Sequence, residues 1–143
     1  MQEMVRVVVD AMGGDNAPAE IVQGAVDAVN KRNDIKVILT GKQKDIEDQL
    51  QKYTYPKEQI EIVCASEVIE TAEPPVKAIR SKKDSSIVVG MNLVKKGHAD
   101  AFVSAGSRGA ILVGGQLIVG RIKGIERPPL APLIPTKNGV ALL

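Results

Sequence analysis

At 143 residues, 44% hydrophobic and 25% charged, the chain has the size and composition of one soluble globular domain with a buried core, which excludes a disordered segment. A formal charge of +2, no Trp, two Tyr and one Phe leave neither the basic field nor the stacking surface that nucleic-acid binding needs. The longest apolar stretch, 110–120, contains Gln116 and falls short of the ~20 residues of a membrane span.

The β-branched run at 5–9 (Val5, Val7, Val8, Val9) reads as a strand buried on both faces of a parallel sheet. Glu3 and Arg6 interrupt the start, so no secretory signal is expected there. The run ends in DAMGGDNAPAE, residues 10–20, and a helix is predicted over 18–32, where Val22, Ala25, Val26 and Val29 recur at helical spacing. A second strand at 35–40 ends at Gly41, and a surface helix follows over 42–53 with Ile46 and Leu50 four apart. The third strand, 60–65, carries the lone cysteine. Cys64 has no partner for an internal disulfide and is expected as a small buried residue in a reducing, cytosolic compartment.

Pro74 and Pro75 then interrupt the chain before a short basic helix at 76–83. A better-marked helix spans 85–96, with Asp84 as candidate cap, Ile87, Val88, Met91 and Val94 on one face, and Gly97 just beyond its end. The sole histidine, His98, falls in a loop and is expected at the surface. A fourth strand follows at 101–103, and then a helix over 107–120 whose nearly all-round apolar character predicts burial, in a central layer or a dimer contact. Two final strands are predicted at 130–134 and 140–143, joined through Asn138 and Gly139.

Alternating strands and helices imply an α/β fold, one domain over 1–143, with an at least partly parallel sheet between helices. In such sheets ligands sit outside the carboxyl ends of the strands, at a switch in strand order. Two glycine-rich loops meet that description: 10–16 after the first strand and SAGSRGA, 104–110, after the fourth. On one shared rim they would offer a small anion N–H groups from two helix starts; otherwise the glycines only make tight turns. G-x-G-x-x-G, a nucleoside-triphosphate P-loop, G-x-S-x-G and C-x-x-C are all absent, which argues against a dinucleotide site, a P-loop and a covalent Ser-His or Cys-His system.

Four segments in order, DAMGGDNAP, KAIRSKKDSS, ADAFVSAG and VGRIKGIERPPLAP, resemble the phosphate acyltransferase family of bacterial phospholipid synthesis, over essentially 7–143. The resemblance implies a three-layer, largely parallel Rossmann-like α/β/α fold, akin to phosphotransacetylases and isopropylmalate dehydrogenases. It further implies a homodimer that transfers a long-chain acyl group from acyl carrier protein to inorganic phosphate, with no metal or organic cofactor. Ser107 and Arg108 stand where the family's loop carries Asn and Thr. Family chains also continue past 140–143, so this chain is expected to be the amino-terminal part of a longer enzyme. No transmembrane segment is implied, and peripheral membrane association is left open.

In that reaction phosphate is itself the nucleophile and the leaving thiol has a pKa of about 8.5, so a catalytic histidine is not required. The protein must supply positioning and N–H donors for the developing oxyanion. The expected backbone cradle is Gly13, Gly14, Gly106 and Gly109, with Ser104 and Ser107 as hydroxyl donors and Arg108 as a clamp. Asp10 and Asp15 would repel phosphate: Asp15 or Asn16 is read as a helix cap, whereas Asp10 either holds the loop closed or binds a cation that touches phosphate. Lys77, Arg80, Lys82 and Lys83 form the densest basic cluster. It is either a solvated helix face, a docking patch for the acidic carrier protein (Lys77, Arg80), or, with Ser85 and Ser86, part of the phosphate rim (Lys82, Lys83). Two competing readings are a coenzyme A-dependent phosphate acyltransferase and a non-catalytic ligand-binding or dimerising module.

Overall fold

The computed structural model describes residues 4–129, 131–137 and 139–142. Strand β1 (Val5–Asp10) lies inside a four-stranded sheet of order β3-β2-β1-β4, with β2 Ile35–Gly41, β3 Ile60–Cys64 and β4 Ala101–Val103. All three pairings are parallel; Val5 to Asp10 align with Ile35 to Thr40, and Val7 to Val9 with Ala101 to Val103. The chain therefore moves outward from β1 through β2 to β3, then returns to place β4 on the other side of β1. That reversal makes the β1/β4 boundary the switch point of the sheet, where an open α/β fold leaves a crevice.

Alternation along β2 shows why two helical layers are needed. Val37 and Leu39 point into a cluster with Val22, Val26 and Val29 of α1 (Ala19–Lys31) and Ile46 and Leu50 of α2 (Gln43–Leu50). Ile38 points the other way, to a cluster with Val8, Phe102 and Val94, the last on α4 (Ser86–Lys95). Two-sided burial, expected of the run at 5–9, is met along β2; in β1 itself Val8 and Asp10 are buried while Val5 is 48% exposed, because it starts the strand beyond the reach of β4, which pairs only with Val7 to Val9. On the α4 face, α3 (Pro75–Ser81) and α5 (Arg108–Gly114) complete the layer through Ile79, Ile87, Met91 and Ala110. Gln59, 5% exposed, ties the β3 entrance to β2 by donating its amide to the carbonyls of Arg32 and Ile35 at 2.8 and 2.7 Å.

Several local expectations change. The cap of α4 is Ser85, whose Oγ accepts from the Val88 amide at 3.4 Å. Asp84 instead accepts from the Ser66 amide and hydroxyl, because a neighbouring strand end offers it two donors. At α1 neither Asp15 nor Asn16 supplies a side-chain cap; Pro18 holds the cap position after a cis Ala17–Pro18 bond. Cys64 is exposed, since it lies on the outer strand β3 and at its end. His98 is exposed, as expected.

The helix expected over 107–120 divides into α5 and a π-turn, Gly115–Val119, and is not enclosed: Leu112, Leu117 and Val119 are all exposed. The last two strands, β5 (Leu133–Thr136) and β6 (Gly139–Leu142), form a separate antiparallel pair. Leu130, Asn138 and Leu143, which belong to the expected strands and their turn, lie outside the described residues.

Two glycines test the packing. An added Cβ at Gly24, in the middle of α1, meets nothing within 4 Å, whereas at Gly90 of α4 it would lie 2.6 Å from Phe102 Cε2. Urea denaturation should find Gly24→Ala more stable by about 0.5–1 kcal/mol and Gly90→Ala less stable by about 1–3 kcal/mol. Equal effects would mean that α4 does not pack on β4 as described.

Candidate functional site

The site grows from the carboxyl ends of β1 and β4. Asp10, the last residue of β1, is 1% exposed although it carries a carboxyl group. Its Oδ1 accepts from the Met12 amide at 3.1 Å and its Oδ2 from the Ser104 hydroxyl at 2.7 Å. Ser104 Oγ in turn accepts from the Gly106 amide at 3.0 Å. A chain of hydrogen bonds thus runs from one glycine loop through a carboxylate and a hydroxyl into the other.

The glycines are required by how closely the loops approach. A Cβ on Gly13 would sit 2.6 Å from Asp10 Oδ2, 2.8 Å from Ser104 Oγ and 2.9 Å from the Gly106 nitrogen. Gly14 has φ +105, in the left-handed region that glycine reaches without steric cost. A Cβ on Gly106 would meet Gly13 Cα at 3.3 Å. Among the described residues, the main-chain N–H groups of Gly14, Asp15, Arg108 and Gly109 donate to no protein acceptor. The loops therefore share one rim, touch each other directly and retain donors for an anion.

The remaining predicted residues divide by location. Ser107, 3% exposed, caps α5 by accepting from the Ala110 amide at 3.2 Å. A Cβ on Gly109 would lie 2.6 Å from Pro75 Cγ, so this glycine also permits α5 to cross α3 closely. Arg108 is exposed and lines an apolar groove beside α5. Lys77 and Arg80 are exposed on α3, where they line a shallow depression with Pro74, Val76 and Ser81.

Lys82, Lys83, Ser85 and Ser86 have partners within the chain. Lys82 Nζ donates to the Val68 carbonyl at 2.6 Å and to Glu73 at 2.5 Å, and Lys83 Nζ to the Ile79 carbonyl at 3.3 Å. Ser85 and Ser86 are buried; the Ser85 hydroxyl donates to the Lys82 carbonyl, and the Ser86 carbonyl accepts from Thr40 Oγ1 at 3.1 Å. Since Thr40 pairs with Asp10 across the sheet, the start of α4 lies against the strand ends next to the site. No local sequence signal marks the Lys82–Glu73 clamp, because the two residues lie beyond opposite ends of α3. The apolar groove had one signal, the all-round apolar character of 107–120.

Hydrogen bonds from Lys82 and from the Glu70 amide hold the Glu73 carboxyl below its usual range, and those from Ser66 do the same for Asp84. No cluster of three or more His, Cys, Asp or Glu suited to a metal occurs among the described residues, and no helix among them is long and apolar enough to cross a membrane.

Residues 5–143 match the family described as fatty acid synthesis protein. The chain belongs to that family. Among its curated relatives, the phosphate acyltransferase of Alkaliphilus oremlandii is 57% identical over 139 residues, which cover 97% of this chain and 41% of that protein. The phosphate acyltransferases of Halothermothrix orenii and Clostridioides difficile are 48% and 51% identical, each over 97% of this chain and 42% and 41% of their own lengths. The chain thus spans about two-fifths of the length of these relatives. A phosphotransacetylase from Streptococcus pyogenes superposes with a TM-score of 0.66 at 20% identity, over 94% of this chain and 44% of that one. That similarity establishes a shared α/β fold.

Two outcomes are expected at these strand ends. Ser104→Ala leaves a buried carboxylate oxygen without its donor and should cost about 1–3 kcal/mol in urea denaturation; no change would mean that the loops are held elsewhere. The Glu73 and Asp84 carboxyls have depressed folded-state values, so their contribution is present above the ordinary carboxylate range and is lost as pH falls through the folded values. Hydrogen-exchange protection in 66–73, taken relative to the intrinsic rate at each pH, should therefore fall below about pH 4, and Lys82→Ala should weaken that dependence.

Proposed function

We propose that this chain is the amino-terminal, phosphate-holding part of an acyltransferase that moves a long-chain acyl group from acyl carrier protein to inorganic phosphate, giving acyl phosphate for phospholipid synthesis. The observation that carries the reading is the meeting of two glycine loops at the sheet's switch point, tied by the 2.7 Å Ser104–Asp10 bond. Membership of the fatty acid synthesis family, and relatives named phosphate acyltransferase, support it.

Phosphate lies against the amides of Gly14 and of the Arg108–Gly109 turn, with the Arg108 guanidinium as a bidentate clamp. A phosphate oxygen attacks the thioester carbonyl, the C–O bond forms as the C–S bond breaks, and the thiolate leaves without an obligatory general acid because its thiol pKa is about 8.5. Main-chain N–H groups steady the oxyanion. Asp10 and Ser104 act as positioning residues: engaged carboxylate oxygens turned into the loops do not face the anion. Gly13 and Gly106 permit the contact. Lys77 and Arg80, exposed on α3, receive the acidic carrier protein, and two copies assemble as a homodimer.

The test is phosphate-dependent thiol release from a long-chain acyl carrier protein by the enzyme that carries this chain, with hydroxylamine trapping of the acyl phosphate. Long-chain acyl-coenzyme A is the comparison donor, and preference for it would favour a coenzyme A-dependent enzyme. Asp10→Asn should lower turnover on the order of a hundredfold, the cost of a small misplacement of reacting groups. Unchanged turnover with lowered stability would leave Asp10 a structural role alone.

A further inference from the structure

Residues 14–16 of the first glycine loop are exposed, so the aim of the Gly14 and Asp15 amides is set by how residues 10–13 are held. Three ties hold them, and they reach different parts of the fold. The Asp10 carboxylate reaches the loop after β4 through Ser104. The Ala11 amide donates to the Thr40 carbonyl of β2 at 2.9 Å, and Ala11 itself is buried in the cluster with α1 and α2. The third tie is apolar and belongs to Met12.

Gly41, the last residue of β2, leaves a hole that Met12 fills. A Cβ on Gly41 would lie 2.7 Å from Met12 Cγ and 2.9 Å from Met12 Sδ, and 3.3 Å from Ile46 Cδ1 of α2. All three fall below the roughly 3.5–4.0 Å at which packed atoms rest, so methionine and a side chain at 41 exclude each other. An unbranched thioether suits such an irregular gap. The walls of the hole are themselves fixed: the Gly41 carbonyl accepts the Ala65 amide at 2.8 Å beyond the end of β3, and Ile46 is fully buried. Met12 also donates its own amide to Asp10 Oδ1, so the peg is bonded to the same carboxylate that engages Ser104.

We propose that Met12 is a positioning residue for the anion: seated against Gly41 and Ile46, it fixes the first glycine loop from the β2 side, as Ser104 fixes it from the β4 side. It acts through the main chain, by setting where the Gly14 and Asp15 amides stand. The assignment rests on the phosphate reading above and adds to it the residue that holds the loop at its second edge.

The enzyme that carries this chain is compared with its Met12→Ala, Met12→Leu, Gly41→Ala and Met12→Ala/Gly41→Ala variants. Calorimetric titration with inorganic phosphate reads binding, and thiol release at varied phosphate and varied acyl carrier protein reads the two KM values. Met12→Ala empties the hole and should weaken phosphate, and raise its KM, on the order of tenfold, about the worth of one hydrogen bond to a charged group. The KM for acyl carrier protein should not move. Met12→Leu, of similar volume, should keep phosphate binding within about threefold of the parent. Gly41→Ala displaces Met12 and should weaken phosphate too, but by about tenfold less in the Met12→Ala background, where the space is free. Strain of alanine at the Gly41 φ of +156 is common to both backgrounds and cancels in that comparison.

Phosphate affinity unaltered by Met12→Ala, an equal rise in both KM values, or additive effects of the two substitutions would overturn the assignment. Should Gly41→Ala fail to fold, the KM contrast between Met12→Ala and Met12→Leu decides. Failure of the catalytic reading looks different: no acyl phosphate forms from acyl carrier protein, while phosphate binding still falls with Met12→Ala and returns with Met12→Leu.

Discussion

A single hydrogen bond, from the Ser104 hydroxyl to the Asp10 carboxylate, joins residues 94 apart in sequence and brings together the two loops from which the site is built. It exists because β1 and β4 are neighbours in the sheet, and they are neighbours because the chain reverses its direction of travel after β3. The bond gives the acid at the end of β1 its role: both Asp10 oxygens accept donors from the loops and hold them together. The glycines follow from the same constraint, since a methyl group on Gly13 would occupy the space of the bond itself.

Around this latch the basic residues separate into different physical roles. Lys82 and Lys83 are near Lys77 and Arg80 in sequence. Lys82 ties the segment carrying Val68 and Glu73 to the corner between α3 and α4, and Lys83, just past α3, bonds the Ile79 carbonyl of that helix. Lys77 and Arg80 face outward. A cation already bonded to a carboxylate and a carbonyl is a structural tie, which sets Lys82 apart from the exposed Arg108. Ser85 and Ser86 are buried in the same corner, one capping α4 and the other accepting from Thr40.

Arg108 also changes how the helix that follows it is understood. An apolar surface on almost every side suggested enclosure, yet α5 packs against α3 and α4 on one side and leaves Leu112 exposed on another. The relatives are more than twice as long as this chain, and the hairpin of β5 and β6 stands apart from the main sheet with Leu133 and Val140 exposed. Exposed apolar residues gather in the carboxyl-terminal third, at Leu112, Leu117, Val119, Ile122 and Leu133, while the polar latch sits at the carboxyl ends of β1 and β4. The polar loop and the apolar groove thus meet at Arg108, the first residue of α5.

The sequence by itself determined the elements whose signal is periodic and local. Val5 to Val9, β-branched at every position but Arg6, forms β1, although Val8 is its one buried valine; Val22, Val26 and Val29 recur at helical spacing and face the core; Ala101 to Val103 forms β4 as expected. It also placed both glycine loops after strands, because glycine marks tight turns wherever they fall. Tertiary structure decided what each polar side chain does there. Ser85 rather than Asp84 caps α4 because Ser66, brought close by the end of β3, engages Asp84. Cys64 is exposed because β3 is an outer strand, a fact about strand order. Propensity and spacing act over a few residues, whereas hydrogen-bond partners and solvent exposure depend on which distant segments the sheet makes adjacent.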